Sequence, residues 1–66
     1  MKLLDTVALR ADLPESDLVA GQVGTIVEDL APDVYLVEFS DDEGKTYAML
    51  PLRAEQLLTL KYAKVA

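Results

Sequence analysis

Val34-Tyr35-Leu36-Val37-Glu38-Phe39, then Ser40-Asp41-Asp42-Glu43-Gly44, then Lys45-Thr46-Tyr47-Ala48-Met49-Leu50 is the stretch that decides the fold. Its first part is built from β-branched and aromatic residues that suit a pleated backbone. Side chains alternate across a strand, so Tyr35, Val37 and Phe39 share one face while Val34 and Leu36 take the other. The acidic run between the two halves reads as a hairpin connection of about five residues, with Gly44 fitted to the left-handed position before the return strand. Lys45 to Leu50 is that return strand, and Pro51 is expected to stop it.

Working outward, Asp5-Thr6-Val7-Ala8-Leu9-Arg10 alternates in the same way and puts Val7 and Leu9 on a buried face. Ala11 to Ala20 reads as a long loop, because Leu13-Pro14 disfavours helix and three acids (Asp12, Glu15 and Asp17) interrupt it. Leu13 and Leu18 are expected to turn inward and pin it. Gly21-Gln22-Val23-Gly24-Thr25-Ile26-Val27-Glu28 reads as a second strand, with Val23 and Val27 assigned to the core and Ile26 to the outer face. Ala31-Pro32-Asp33 makes a turn. Arg53-Ala54-Glu55-Gln56 is too short for an α-helix and suits one 3-10 turn. Leu57-Leu58-Thr59-Leu60 closes the set as a fifth strand, followed by a terminal tail from Lys61 to Ala66.

Five short strands, one long first loop and a 3-10 turn before the last strand describe an all-β domain over residues 1–66: a small five-stranded antiparallel SH3-like barrel. Closure removes the apolar edges that an open sheet of this size would expose. The expected core is Val7, Leu9, Val23, Val27, Val37, Phe39, Leu50 and Leu57.

Composition narrows the chemistry. At 66 residues there is material for one core only. With no His and no Cys, an imidazole base, a thiol nucleophile, a disulfide and the usual zinc ligands are all excluded. Twelve acids against six bases leave a net charge of −6, and the acids are concentrated. Residues 1–44 hold eleven acids and two bases, residues 45–66 one acid and four bases. Such a surface repels phosphate backbones and anionic membranes, so neither nucleic acid nor membrane is expected as a partner. Only Leu3-Leu4 separates Met1-Lys2 from Asp5, too short for the apolar part of a leader, and a cytoplasmic location is expected.

Asp12-Leu13-Pro14-Glu15, Gly21-x-x-Gly24-Thr25-Ile26-Val27-Glu28, Tyr35-x-Val37-Glu38-Phe39 and Glu55-Gln56-Leu57 occur in an order and spacing that resembles a family of short bacterial proteins. That family is a domain of unknown function common in cyanobacteria, and the match runs over about residues 3–60. More loosely, Gly21-x-x-Gly24-Thr25-Ile26 is similar to the turn and strand of KOW-type and nitrile-hydratase-β-type barrels. The resemblance implies a fold and no established activity. KOW modules that bind RNA carry basic residues around that turn, whereas Asp17, Gln22 and Glu28 stand there in this chain.

No catalytic, cofactor or metal residue is assigned. Asp41-Asp42-Glu43-Gly44 lacks the alternating oxygens and distant Glu of a calcium loop. Gly21 and Gly24 lack the Lys-Ser/Thr ending of a phosphate loop. Ser16 and Ser40 have no imidazole to activate them. The more informative feature is apolar excess: Ile26, Leu36, Tyr47 and Met49 are assigned to the outer face, out of phase with the core. Together with Asp12, Glu15 and Asp17 at the rim they form the candidate partner-binding set. The expected role is a non-catalytic protein-interaction module for a basic partner, antitoxin-like or accessory to an enzyme. Its rivals are a structural homo-oligomer and, further off, a KOW-like nucleic-acid binder.

Overall fold

The computed structural model describes residues 1–60; the expected tail from Lys61 to Ala66 lies outside the described residues. The strands are β1 (Thr6–Leu9), β2 (Val23–Ala31), β3 (Val34–Ser40), β4 (Thr46–Arg53) and β5 (Leu57–Thr59), with 3-10 turns at Pro14–Ser16 and Ala54–Gln56. All ladders are antiparallel, and the strands lie side by side in the order β4-β3-β2-β1-β5. Laid flat, such a sheet would hold its edge strands about 19 Å apart. Here the edges β4 and β5 are joined by the Ala54–Gln56 turn alone, and Leu52 and Leu57 bury in the same cluster. The sheet is therefore rolled on itself into a barrel-like shape.

The rolled interior holds Val7, Leu9, Ile26, Tyr35, Val37, Phe39, Leu52 and Leu57, with Leu18 closing it from the first loop. Phe39, Ile26, Val7 and Val37 are completely sealed from water. Val7, Leu9, Val37, Phe39 and Leu57 thus take their expected places, and Leu50 packs against the cluster while partly exposed.

β2 has the opposite phase from the one expected. Gly24 and Ile26 face inward, Val23 is 43% exposed and Val27 is half-buried. Gly24 shows why. A Cβ there would lie 2.7 Å from a Val37 methyl, 2.8 Å from the Glu38 carbonyl oxygen and 3.0 Å from the Phe39 ring. Only a residue without a side chain lets β2 approach β3 this closely, so the inward position is the one the apolar pattern leaves blank. Beyond it, Ile26 opposes Val37 but Glu28 opposes Leu36, which makes Val27 the extra residue of a bulge.

Pro51 does not stop β4 either. The strand continues to Arg53, with Pro51 opposite Leu36. β4 is an edge, and a proline whose missing N–H would face the open side removes no ladder bond.

The first loop folds back on itself. Leu13 and Leu18 exchange backbone hydrogen bonds of 2.8 and 3.2 Å, Asp17 takes a left-handed φ of 59°, and the Asp12 carboxylate accepts from the Ala20 N–H at 2.9 Å. Leu18 is 2% exposed and Leu13 packs on the core, so both pin the loop as expected. At the β3–β4 hairpin the Asp41 carboxylate accepts from the N–H groups of Glu43 and Lys45, both at 2.9 Å, and Gly44 adopts a φ of 83°. That acidic run is organised as a turn. No helix among the described residues is long and apolar enough to cross a membrane.

Candidate protein-interaction surface

β4 separates two surfaces. Its outward residues Met49 and Pro51 stand opposite Glu38 and Leu36 of β3, whereas Leu50 and Leu52 turn inward toward the first loop. Met49 is 51% exposed and Leu36 half-buried, so this pair occupies the outer face as expected. Ile26 does not join them. It is fully buried, because the phase of β2 sends it into the core.

Tyr47 is also redirected. Phe39 opposes Ala48 and Ser40 opposes Thr46, so Tyr47 is the unpaired residue of a bulge in β4, a feature that re-aims side chains. Its ring lies 6.4 Å from that of buried Phe39, and its hydroxyl accepts from Gln22 Nε2 at 3.1 Å. Tyr47 therefore caps the rim of the interior beside Phe39, half-exposed, and leaves the row occupied by Leu36 and Met49.

Asp12, Glu15 and Asp17 are all exposed on the first loop. Among the described residues the one ion pair is Arg53 Nε to Glu55 at 3.3 Å, so none of the three loop acids has a cationic partner there. Between this loop and β4 lies an open groove of about 430 Å³, lined by Leu13, Pro14, Glu15, Ser16, Leu50 and Leu52. Its lining is mostly apolar, and Glu15 contributes the charge. The sequence pattern assigns Leu50 to the core and Leu13 to pinning the first loop, with no groove between them.

A second apolar feature was also missed. Ala8 is paired with Val23 on one side and Leu58 on the other. The three form a stripe across β2, β1 and β5, in which Val23 and Leu58 are exposed and Ala8 is buried between them. The wrong phase for β2 hid it.

Both sheet edges are guarded against strand addition. On β4, Pro51 has no N–H, and the Arg53 N–H is taken by Gln56 Oε1 at 2.8 Å. On β5, the Leu57 N–H donates to the Ala54 carbonyl, and its own carbonyl accepts from Arg10 Nε at 2.9 Å. Among the described residues no three acids converge in a way that could hold a metal ion.

A single rolled five-stranded sheet, with an acidic loop set over an apolar groove, defines a small all-β module whose distinctive chemistry is on its surface. The family model described as Domain of unknown function (DUF4926) matches residues 3–59. The chain belongs to that family. No curated protein and no solved structure matches it.

Proposed function

We propose that this protein is a non-catalytic interaction module that binds a basic protein partner, in an antitoxin-like or accessory role that masks a basic site on an enzyme. The observation that carries this reading is the first loop: Asp12, Glu15 and Asp17 stand exposed without a cationic partner among the described residues, beside an apolar groove. Unpaired surface charge of one sign accelerates encounter with the opposite sign, and apolar surface next to it slows dissociation. The strand order, long first loop and 3-10 turn before β5 support an SH3-like barrel of the KOW and nitrile-hydratase-β kind. A bacterial, cytoplasmic setting fits the same reading.

A second reading, a structural homo-oligomer, draws on the Val23–Ala8–Leu58 stripe, which could pair with its own copy. Light scattering across a concentration series separates the two: a dimer that Val23→Lys dissolves favours self-association. The partner reading is tested by association kinetics with the captured partner across a salt series. The association rate should fall steeply as salt rises from about 50 to 300 mM. A salt-independent rate overturns it, as does tighter than micromolar binding of RNA or DNA near 150 mM salt, roughly the physiological level.

A further inference from the structure

We infer that the groove between the Pro14–Ser16 turn and β4 is the docking site for a short segment of the partner carrying an arginine or lysine next to a large aliphatic residue. The inference rests on the basic-partner reading and deepens it. The groove's volume, about 430 Å³, lies in the range of specific small-ligand sites and suits one aliphatic side chain plus the stem of a long basic one. Leu13, Leu50 and Leu52 supply an apolar floor, and Pro14 stiffens one wall without a main-chain donor to satisfy. Glu15 is the charged lining residue, with Asp12 and Asp17 on the same loop. Long basic side chains lay their methylenes along apolar surface while the charged head stays wet, which is what this lining offers.

The mode of recognition follows from β4. Pro51 and the Gln56-capped Arg53 N–H deny the segment a strand-addition ladder along this edge. Recognition is therefore by side chains, and specificity should follow side-chain chemistry rather than extended conformation.

The test uses the full chain and short capped peptides as probes, read by fluorescence anisotropy at low salt. One peptide carries Arg-Leu at its centre, one Glu-Leu and one Arg-Ala. The Arg-Leu peptide should bind at least about tenfold more tightly than either of the others. Glu15→Lys should lose that preference, and Ser16→Phe, which fills the groove from an exposed position, should abolish binding while thermal unfolding stays as in the wild type. Asp42→Lys, an equal charge change at an exposed position of the β3–β4 hairpin outside the groove lining, should leave peptide binding unchanged. Equal binding of all three peptides, or insensitivity to both Glu15→Lys and Ser16→Phe, overturns the inference. If Lys61→Glu/Lys64→Glu is needed before any peptide binds, the occupant is the chain's own basic terminus and a partner segment is ruled out. Should the captured basic partner still bind Glu15→Lys and Ser16→Phe at wild-type strength, the groove is wrong and the broader reading stands. Should no basic protein bind at all, both fall.

Discussion

Replacing Gly24 by alanine tests the packing that rolls the sheet. The added methyl would stand 2.7 Å from a Val37 methyl, 2.8 Å from the Glu38 carbonyl oxygen and 3.0 Å from the Phe39 ring. Val37 and Phe39 are sealed in the core, and the Glu38 oxygen is backbone, so none of the three can swing away. Gly24 does not take a positive φ, hence the penalty is steric rather than conformational. Overpacking of this sort costs about 1–3 kcal/mol, and the backbone clash puts Gly24→Ala in the upper half. For a domain this small, each kcal/mol moves the melting temperature by about 4–8 °C, so the midpoint should fall by about 8–24 °C. Urea and thermal unfolding followed by circular dichroism read the effect. Val37→Ala in the same chain removes the 2.7 Å clash but leaves the one at Glu38. The double variant should accordingly be more stable than the sum of the singles by about 0.5 kcal/mol or more, without full rescue. A Gly24→Ala protein within about 0.5 kcal/mol of wild type, or strict additivity with Val37→Ala, would refute the close approach of β2 to β3.

Leu18→Ala should cost about 2–4 kcal/mol, because it empties a position that is 2% exposed and anchors the first loop to the core; a change under about 1 kcal/mol by urea unfolding contradicts that anchoring. Tyr47→Phe, which removes one exposed hydrogen bond to Gln22, should stay within about 0.5 kcal/mol, whereas Tyr47→Ala uncovers Phe39 and should cost about 1–2 kcal/mol. Equal losses for the two variants would mean that the hydroxyl, not the ring, matters. Pro51→Thr returns an N–H to the β4 edge and should raise concentration-dependent self-association in sedimentation velocity; an unchanged monomer profile would show that the proline does not guard the edge.

The hairpin of β3 and β4 was legible because β3 alternates cleanly, burying Tyr35, Val37 and Phe39, and Ala48 and Leu50 of β4 keep that alternation with both half-buried. β1 and the 3-10 turn before β5 were legible for the same local reasons. β2 was not. Its inward residue is a glycine, which carries no apolar signal, while Val23 and Val27 advertise a face they do not bury. Bulges are equally invisible to alternation: the one at Tyr47 turns an outer-face residue into a cap on Phe39, and the one at Val27 shifts the rest of β2. Pro51 misled because its effect depends on whether its strand is an edge, which is a property of the assembled sheet. On the surface, the loop acids could be located from sequence, since nothing in the pattern of residues 11–20 could bury them. The groove beside them could not, because it is made by two segments more than thirty residues apart in sequence.

In the proposed reading the acidic first loop recruits a basic protein. The direct measurement is quantitative affinity capture from the native cell, comparing wild type with the Asp12→Asn/Glu15→Gln/Asp17→Asn protein. These replacements keep the shape of the loop. The Asp12→Asn side chain retains an oxygen for the Ala20 N–H, and asparagine tolerates the left-handed conformation that Asp17 adopts. With unfolding temperatures matched, wild type should enrich a protein of basic isoelectric point that the triple variant loses, and the loss should be reproduced by raising salt. Equal enrichment by both proteins, or enrichment of an acidic protein, would contradict the claim.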